Sequence, residues 1–213
     1  MNPVPGFPRP SRMLQDVPLR SQNAEPSLMG MSHAAERWTA EMVRALPDDG
    51  HRYELISGEL IVTPAPRALH QVAISELEAL LRRPTEDRGA HLLHSPADIS
   101  LGEDEILQPD LFVCRTASGR PPRDWSDIST LLLVIEVVSP SSARYDRTVK
   151  RIRYQRARVP DYWVVDVSAR AIERWRPESE EPDVLTDRIE WAGFSIDLPA
   201  VFRSIFGEAS PNP

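Results

Sequence analysis

Three residues on successive stretches carry the chemistry this chain could do. Asp110 opens the apolar run of "QPDLFVC", Glu136 lies inside "LLLVIEVVS", and Lys150 lies in "YDRTVKRIRYQRARV". A run as apolar as the second reads as a strand covered on both faces. An ionised carboxylate there is costly unless it is paired or bound to a metal. Lys150 is the one lysine of the chain; the other 24 of its 25 basic residues are arginine. Lysine is a compact point charge whose proton affinity burial can shift, whereas arginine stays charged. Two carboxylates and an ammonium suit phosphodiester hydrolysis. The carboxylates of Asp110 and Glu136 would hold Mg²⁺ or Mn²⁺, which keeps several of its waters. The metal would polarise the phosphoryl oxygen and acidify a bound water. The ammonium would orient that water or stabilise charge developing on phosphorus. Plainer readings stand beside these: a turn aspartate after proline, a strand glutamate paired with one arginine, and a lysine left over by chance. The combination is what points to chemistry.

The segment around Lys150 adds a second feature. Arg147, Lys150, Arg151, Tyr154 and Arg158 are spaced i, i+3, i+4, i+7 and i+11, which on a helix is one face. Such a stripe could meet a phosphate backbone, with Arg147 and Arg151 as contacts and Tyr154 free to stack or pack. A solvated helix face is the plainer reading. Asp146 reads as a helix N-cap rather than a ligand. His70 opens a helix after "TPAPRAL", and a lone histidine is more often structural than catalytic. Glu59 could supply a third carboxylate, though an exposed hairpin position is the safer reading. The chain has no Gly-rich phosphate loop, no Gly-x-Ser-x-Gly elbow and no paired-histidine zinc motif.

These residues must be positioned by the elements around them. "TAEMVRALP" predicts a short helix with Thr39 as N-cap and Pro47 beyond its end. "RYELISGELIVTP" predicts a hairpin turning at Ser57-Gly58. Val72, Ile74, Leu77, Leu80 and Leu81 have helical spacing, with Pro84 after the helix end. "AHLLHS", "ADISLG", "ILQPDLFVCR" and "TLLLVIEVVSP" read as strands, the third with Pro109 at its start or edge. A helix follows over "RTVKRIRYQRARV", then a hairpin of "DYWVVDVS" and "AIERWRP", and "FSIDLPAVFRSIF" closes with a short packing element. A helix between two strands implies a crossover and some parallel pairing. The expected class is therefore α/β or α+β: a mixed sheet flanked by helices, with an N-terminal hairpin.

The bulk numbers agree with a single such domain. The chain has 213 residues, 41% hydrophobic and 27% charged, with net charge −7. That is enough length to bury a core, and the charge argues against a general polyanion binder. Residues 1–35 are rich in Pro and Ser without an apolar period, so they read as a disordered extension. Residues 36–207 read as the folded domain and 208–213 as a tail. No apolar run is long enough for a membrane helix, no signal peptide is apparent, and the single cysteine, Cys114, fits a reducing cytoplasm.

Taken together, "RYELISGELIVTPAPRALHQ", "ILQPDLFVC", "LLLVIEVVSPSSARYDRTVKRIRYQRARVPDYWVVD" and "FSIDLPAVF" resemble the Uma-two family, a group long known as a domain of unknown function. That family is similar to the restriction-endonuclease-like PD-(D/E)XK superfamily. The resemblance spans roughly Trp38 to Phe206. It implies a core of helix, three strands, helix and strand, with Pro109-Asp110 as the "PD" and Glu136 as the acid of the next strand. The superfamily's lysine falls two residues after that acid, where this chain has Val138. The resemblance implies that the lysine has moved to Lys150 on the following helix, and it keeps His70 in the site region. The expected function is a Mg²⁺- or Mn²⁺-dependent endonuclease acting on DNA, cytoplasmic and without a membrane partner. Two rivals stand beside it. One is a catalytically inactive nucleic-acid- or protein-binding module on the same fold. The other is an interaction protein whose basic helix docks an acidic partner, a second copy in a homodimer included.

Overall fold

The computed structural model describes residues 37–47, 49–63 and 66–209. The expected disordered extension at 1–35 and the last residues of the tail lie outside the described residues. In chain order the elements are α1 (Ala40–Arg44), β1 (Arg52–Ile56), β2 (Glu59–Thr63), α2 (Ala68–Glu86), β3 (His91–His94), β4 (Ile99–Gly102), β5 (Glu105–Leu107), β6 (Leu111–Thr116) and β7 (Ile128–Val137). There follow α3 (Ala143–Tyr145), a π-helical turn (Asp146–Lys150), α4 (Arg151–Arg156), β8 (Asp161–Asp166), β9 (Ala171–Trp175), β10 (Asp183–Leu185), β11 (Arg188–Trp191), β12 (Phe194–Asp197) and α5 (Leu198–Phe206).

Local signals in the sequence account for many of these boundaries. Thr39 caps α1, its hydroxyl accepting from the Met42 backbone N–H at 3.3 Å. The β1–β2 hairpin turns at Ser57 and Gly58, with φ of 53° and 80°. Positive φ at both central residues is the two-residue turn whose twist matches the strands. A Cβ on Gly58 would also lie 2.7 Å from Arg37 Nε, so a side chain there would have to displace the exposed Arg37. One boundary differs from expectation. Pro84 lies inside α2, which runs on to Glu86. A proline in the last turn removes a single helical bond, and the chain leaves the helix only at Gly89, with φ of 61°.

The large sheet is mixed and the small one antiparallel. A six-stranded sheet has the order β10-β9-β8-β7-β6-β3, and a four-stranded sheet has the order β2-β1-β5-β4. All pairings in the large sheet are antiparallel except β7–β8, which is parallel, as the intervening helix requires. The expected single strand "ILQPDLFVCR" divides: β5 joins the small sheet and β6 the large one, with Gln108-Pro109-Asp110 crossing between them. Pro109 cannot donate to a ladder, so pairing stops there. The acidic loop before the closing hairpin also holds a further strand, β10.

Both faces of the large sheet are covered. On one face Leu111, Val113, Leu133, Ile135, Trp163 and Val165 pack under α2 and α5. On the other Phe112, Val134, Tyr162 and Val164 meet Tyr154 of α4 and Ile56 and Leu107 of the small sheet. Burial on both faces explains why β7 is almost wholly apolar. It also sharpens the question of what Glu136 does there. Among the described residues no helix is long and apolar enough to cross a membrane.

Candidate active site

The site forms where the two sheets meet, under the helix that follows β7. Leu111 pairs with Ile135, so Asp110 stands one step further along, beside Glu136. Asp110 is 3% exposed and Glu136 2%. The Val137 backbone N–H donates to Asp110 Oδ2 at 2.9 Å, which ties the start of β6 to the end of β7. Lys150, 3% exposed, reaches down from the π turn and places its ammonium 3.0 Å from Glu136 Oε1. Asp110, Glu136 and Lys150 thus occupy one buried place, brought there by the segment before β6, by β7 and by the π turn.

Two further carboxylates join them. Glu54, on β1, is 1% exposed; its Oε1 lies 2.8 Å from Lys150 Nζ and accepts from the Gln108 backbone N–H at 2.7 Å. Asp146 lies 3.7 Å from the same ammonium. Asp146 is therefore not an N-cap, as its place in the sequence suggested; it is a buried member of the cluster. The π turn brings Asp146 and Lys150, four residues apart, onto the inner side of the helix, and single π turns are frequent at functional sites. Tyr154 on α4 closes the cluster, its hydroxyl donating to Glu136 Oε1 at 3.3 Å. Glu54 is the residue that the sequence did not disclose. Glu59, the alternative third carboxylate, is exposed on the hairpin.

Arg52 and His70 frame Asp110. Arg52 donates to Asp110 Oδ1 at 2.6 Å and also bonds the Gln108 carbonyl. His70 Nε2 lies 3.0 Å from Asp110 Oδ2. Burial disfavours the Asp110 carboxylate, but the His70 hydrogen bond and the Arg52 charge outweigh it and hold the pKa at about 2. Burial likewise opposes the Lys150 charge, yet Glu136, Glu54 and Asp146 keep it protonated beyond the usual lysine range. Lys150 is thus a fixed cation rather than a base. Glu136 moves the other way. Burial raises its pKa well above the ordinary range; Lys150 opposes this, and Asp110, Asp146 and Glu54 reinforce it.

The balance of charge tests whether a cation suits the cluster. Four buried carboxylates (Glu54, Asp110, Glu136, Asp146) face two fixed cations (Arg52, Lys150). Fully ionised, the cluster carries an excess of two negative charges, which a divalent cation would neutralise. Both hydrogen bonds to Glu136 among the described residues fall on Oε1, so Oε2 is the atom a cation could take without displacing Lys150. No group of three or more His, Cys, Asp or Glu among the described residues is gathered closely enough to cage a metal by itself. A divalent cation here would rest on one or two carboxylates, Glu136 Oε2 being the atom without a hydrogen bond among the described residues, and water and substrate oxygens would have to complete its shell.

The basic stripe is not an open surface. Arg147 donates to Glu173 at 2.7 Å and Asp166 at 2.9 Å. Arg151 lies over the Trp175 ring at 4.6 Å and bonds Gln155. Arg153 pairs with Glu105, and Arg158 with Glu178. Tyr154 is fully buried and cannot stack on a base. Accordingly, Arg147→Ala is expected to act on stability. Two partly exposed ion pairs are worth about 1 kcal/mol together, which lowers the melting temperature by roughly 2–4 °C. The salt dependence of DNA binding, measured by anisotropy, should stay unchanged; a shallower slope would return Arg147 to the DNA interface.

Comparison with known proteins adds to this geometry. A family model described as "Uma2: Putative restriction endonuclease" matches residues 40–202. No curated protein matches the chain. Among solved structures, a crystal structure of "a putative nuclease belonging to DUF820" from Anabaena variabilis ATCC 29413 superposes with a TM-score of 0.68 at 18% identity. The match covers 78% of this chain and 98% of that one. At that identity the likeness is one of fold.

Proposed function

The chain belongs to the Uma2 family, and from that premise we propose that it is a metal-dependent endonuclease hydrolysing phosphodiester bonds in DNA. The family description makes the function nuclease-like. The metal and the DNA substrate are our reading, and one observation carries them: a lone lysine buried against Glu54 and Glu136, beside Asp110, with an excess of carboxylate over fixed cation.

Glu136 and Asp110 would hold Mg²⁺ or Mn²⁺, which when bound supplies Lewis-acid polarisation of the phosphoryl oxygen and an acidified water. Arg52 and His70 fix the orientation of Asp110. Glu54 holds Lys150 between itself and Glu136, so the ammonium cannot swing out to solvent. Lys150 places a permanent positive charge where the scissile phosphate gains negative charge, and such preset charges avoid reorganisation during reaction. Tyr154, itself fully buried, covers Glu136 from α4, and the low exposure of the cluster strengthens each of these interactions.

Nicking of supercoiled plasmid with Mg²⁺, with Mn²⁺ and with EDTA tests the proposal. Cleavage with either metal and none with EDTA is expected. No cleavage with either metal across a pH series would remove the enzymatic reading and leave a binding module on this fold.

A further inference from the structure

A cleft of about 530 Å³ opens beside the cluster and bottoms on Arg52 and Asp110. Its volume falls in the range of about 300–1,000 Å³ typical of small-ligand sites. α1 forms one wall, with Arg44 at its exposed end, and Gln71 of α2 lies in another. Trp125, in the short 3₁₀ turn before β7, lines the cleft with 38% of its surface exposed. Its ring is braced edge-on by Phe112 at 6.4 Å, and Asp124 caps the turn that carries it. Gln108, which precedes the Pro109-Asp110 pair, also lines the cleft. Its Oε1 is buried with no hydrogen-bond partner among the described residues, and so is Arg52 Nε. Gln108 Nε2 is held by Asp98 at 2.8 Å, so the amide is fixed with its acceptor unused. An unused buried acceptor is costly.

We propose that this cleft seats one unpaired nucleobase next to the scissile phosphate, so that the substrate is single-stranded or locally unpaired DNA rather than intact duplex. The inference rests on the endonuclease reading and narrows its substrate. Three observations favour it. The carboxylates and Lys150 are at most 3% exposed; of these groups Asp110 lines the cleft, whose size suits a single nucleotide rather than a rigid duplex. On the helix after β7, Arg147, Arg153 and Arg158 are engaged in ion pairs, on a chain of net charge −7. Stacking would then add to affinity, and Trp125 is a braced, open platform of the kind single-strand binders use. A base over Trp125 would bring its 5′ or 3′ phosphate toward Arg52, which lines the same cleft.

The test measures binding and cleavage by the full chain. Anisotropy is followed with Ca²⁺ present, using a fluorescent 15-mer of thymidine, a duplex of equal length and a duplex with a central bubble. The single strand and the bubble should bind at least about tenfold more tightly than the duplex. Trp125→Ala should weaken single-strand binding about tenfold, the scale of losing one stacked base, and Trp125→Phe should restore most of it. Duplex binding should not move. With Mn²⁺ the single strand and bubble should be cut and the duplex spared. Duplex cut as fast as single strand would overturn this inference and leave the endonuclease reading intact. Single-strand preference sensitive to Trp125, without cleavage of any substrate, would leave the cleft assignment standing and remove the endonuclease reading. Equal affinity for all three DNAs, or Trp125→Ala binding as the parent does, would overturn the assignment.

Discussion

Lys150→Arg should keep the positive charge and lose the activity. The ammonium is a single atom that meets Glu54 at 2.8 Å, Glu136 at 3.0 Å and Asp146 at 3.7 Å. A guanidinium spreads its donors over a planar fork and carries them further from the backbone. In an interior this closely packed the fork must push the carboxylates apart, at a cost of about 1–3 kcal/mol. The charge is then misplaced relative to the phosphate, and cleavage should fall by about two orders of magnitude or more, the scale of losing one preorganised electrostatic group. Release of a proton is not what separates the two residues, since Lys150 is itself held protonated. Cleavage rate with Mn²⁺ and DNA affinity with Ca²⁺ should be measured on one preparation, well below its melting temperature. Affinity should hardly change. Undiminished cleavage in Lys150→Arg would take the lysine out of the chemistry.

Glu136→Gln should lose activity and gain stability. Glutamine has the shape of the carboxylic acid and still offers Tyr154 an acceptor, while Lys150 keeps Glu54 and Asp146 as partners. The substitution removes one negative charge from a buried cluster that carries too many. A gain of about 1 kcal/mol would raise the melting temperature by roughly 2–4 °C. Such trade-offs are common where an active site is held in a strained electrostatic state. The gain should depend on pH. Burial, with Asp110, Asp146 and Glu54, raises the Glu136 pKa above its ordinary 4.5. A carboxyl raised in this way costs nothing while it is protonated in both folded and unfolded chains. It becomes destabilising as pH climbs past the unfolded value and through the folded one. Parent and variant should therefore melt together at pH 4 or below and separate toward neutrality. Added Mn²⁺ should stabilise the parent more than the variant, and cleavage by the variant should drop by about 10²–10³-fold. A variant that melts below the parent at pH 7 would mean that the cluster is balanced without a metal.

Much of this arrangement could be read from residue type and spacing. Glu136 stood out because a carboxylate interrupts a doubly covered strand, and Lys150 because it is the one lysine. Asp110 was marked by the proline that ends one pairing and lets another begin. Glu54 had no such mark. In "RYELISGE" it alternates with apolar residues as a solvent-facing hairpin position does. Its burial arises only when β5 pairs with β1 and α4 covers the junction, contacts that span more than fifty residues of chain. The ion pairs of the basic stripe were not legible in the sequence for two physical reasons. Its partners Asp166, Glu173, Glu105 and Glu178 lie on other elements. The π turn at Asp146–Lys150 also adds rotation that a 3.6-residue count does not include. The division of "ILQPDLFVCR" between two sheets shows the same limit: Pro109 marks where pairing stops, but not that a second sheet waits on the other side.

The parallel pairing of β7 with β8 has a consequence for the newly made chain. Glu54, Asp110, Glu136 and Lys150 all emerge before β8 does, yet the helix carrying Lys150 gains a further tie when β8 lies beside β7 and Tyr162 reaches back to the Asp146 carbonyl at 3.0 Å. Pairings of this kind, closed over a long crossover, are slow to form. A nascent chain on the ribosome would thus hold every group of the site before the site is fully braced. Under the proposed function, cutting ability would then arrive late in folding, and a truncated translation product ending before β8 is expected to be inactive.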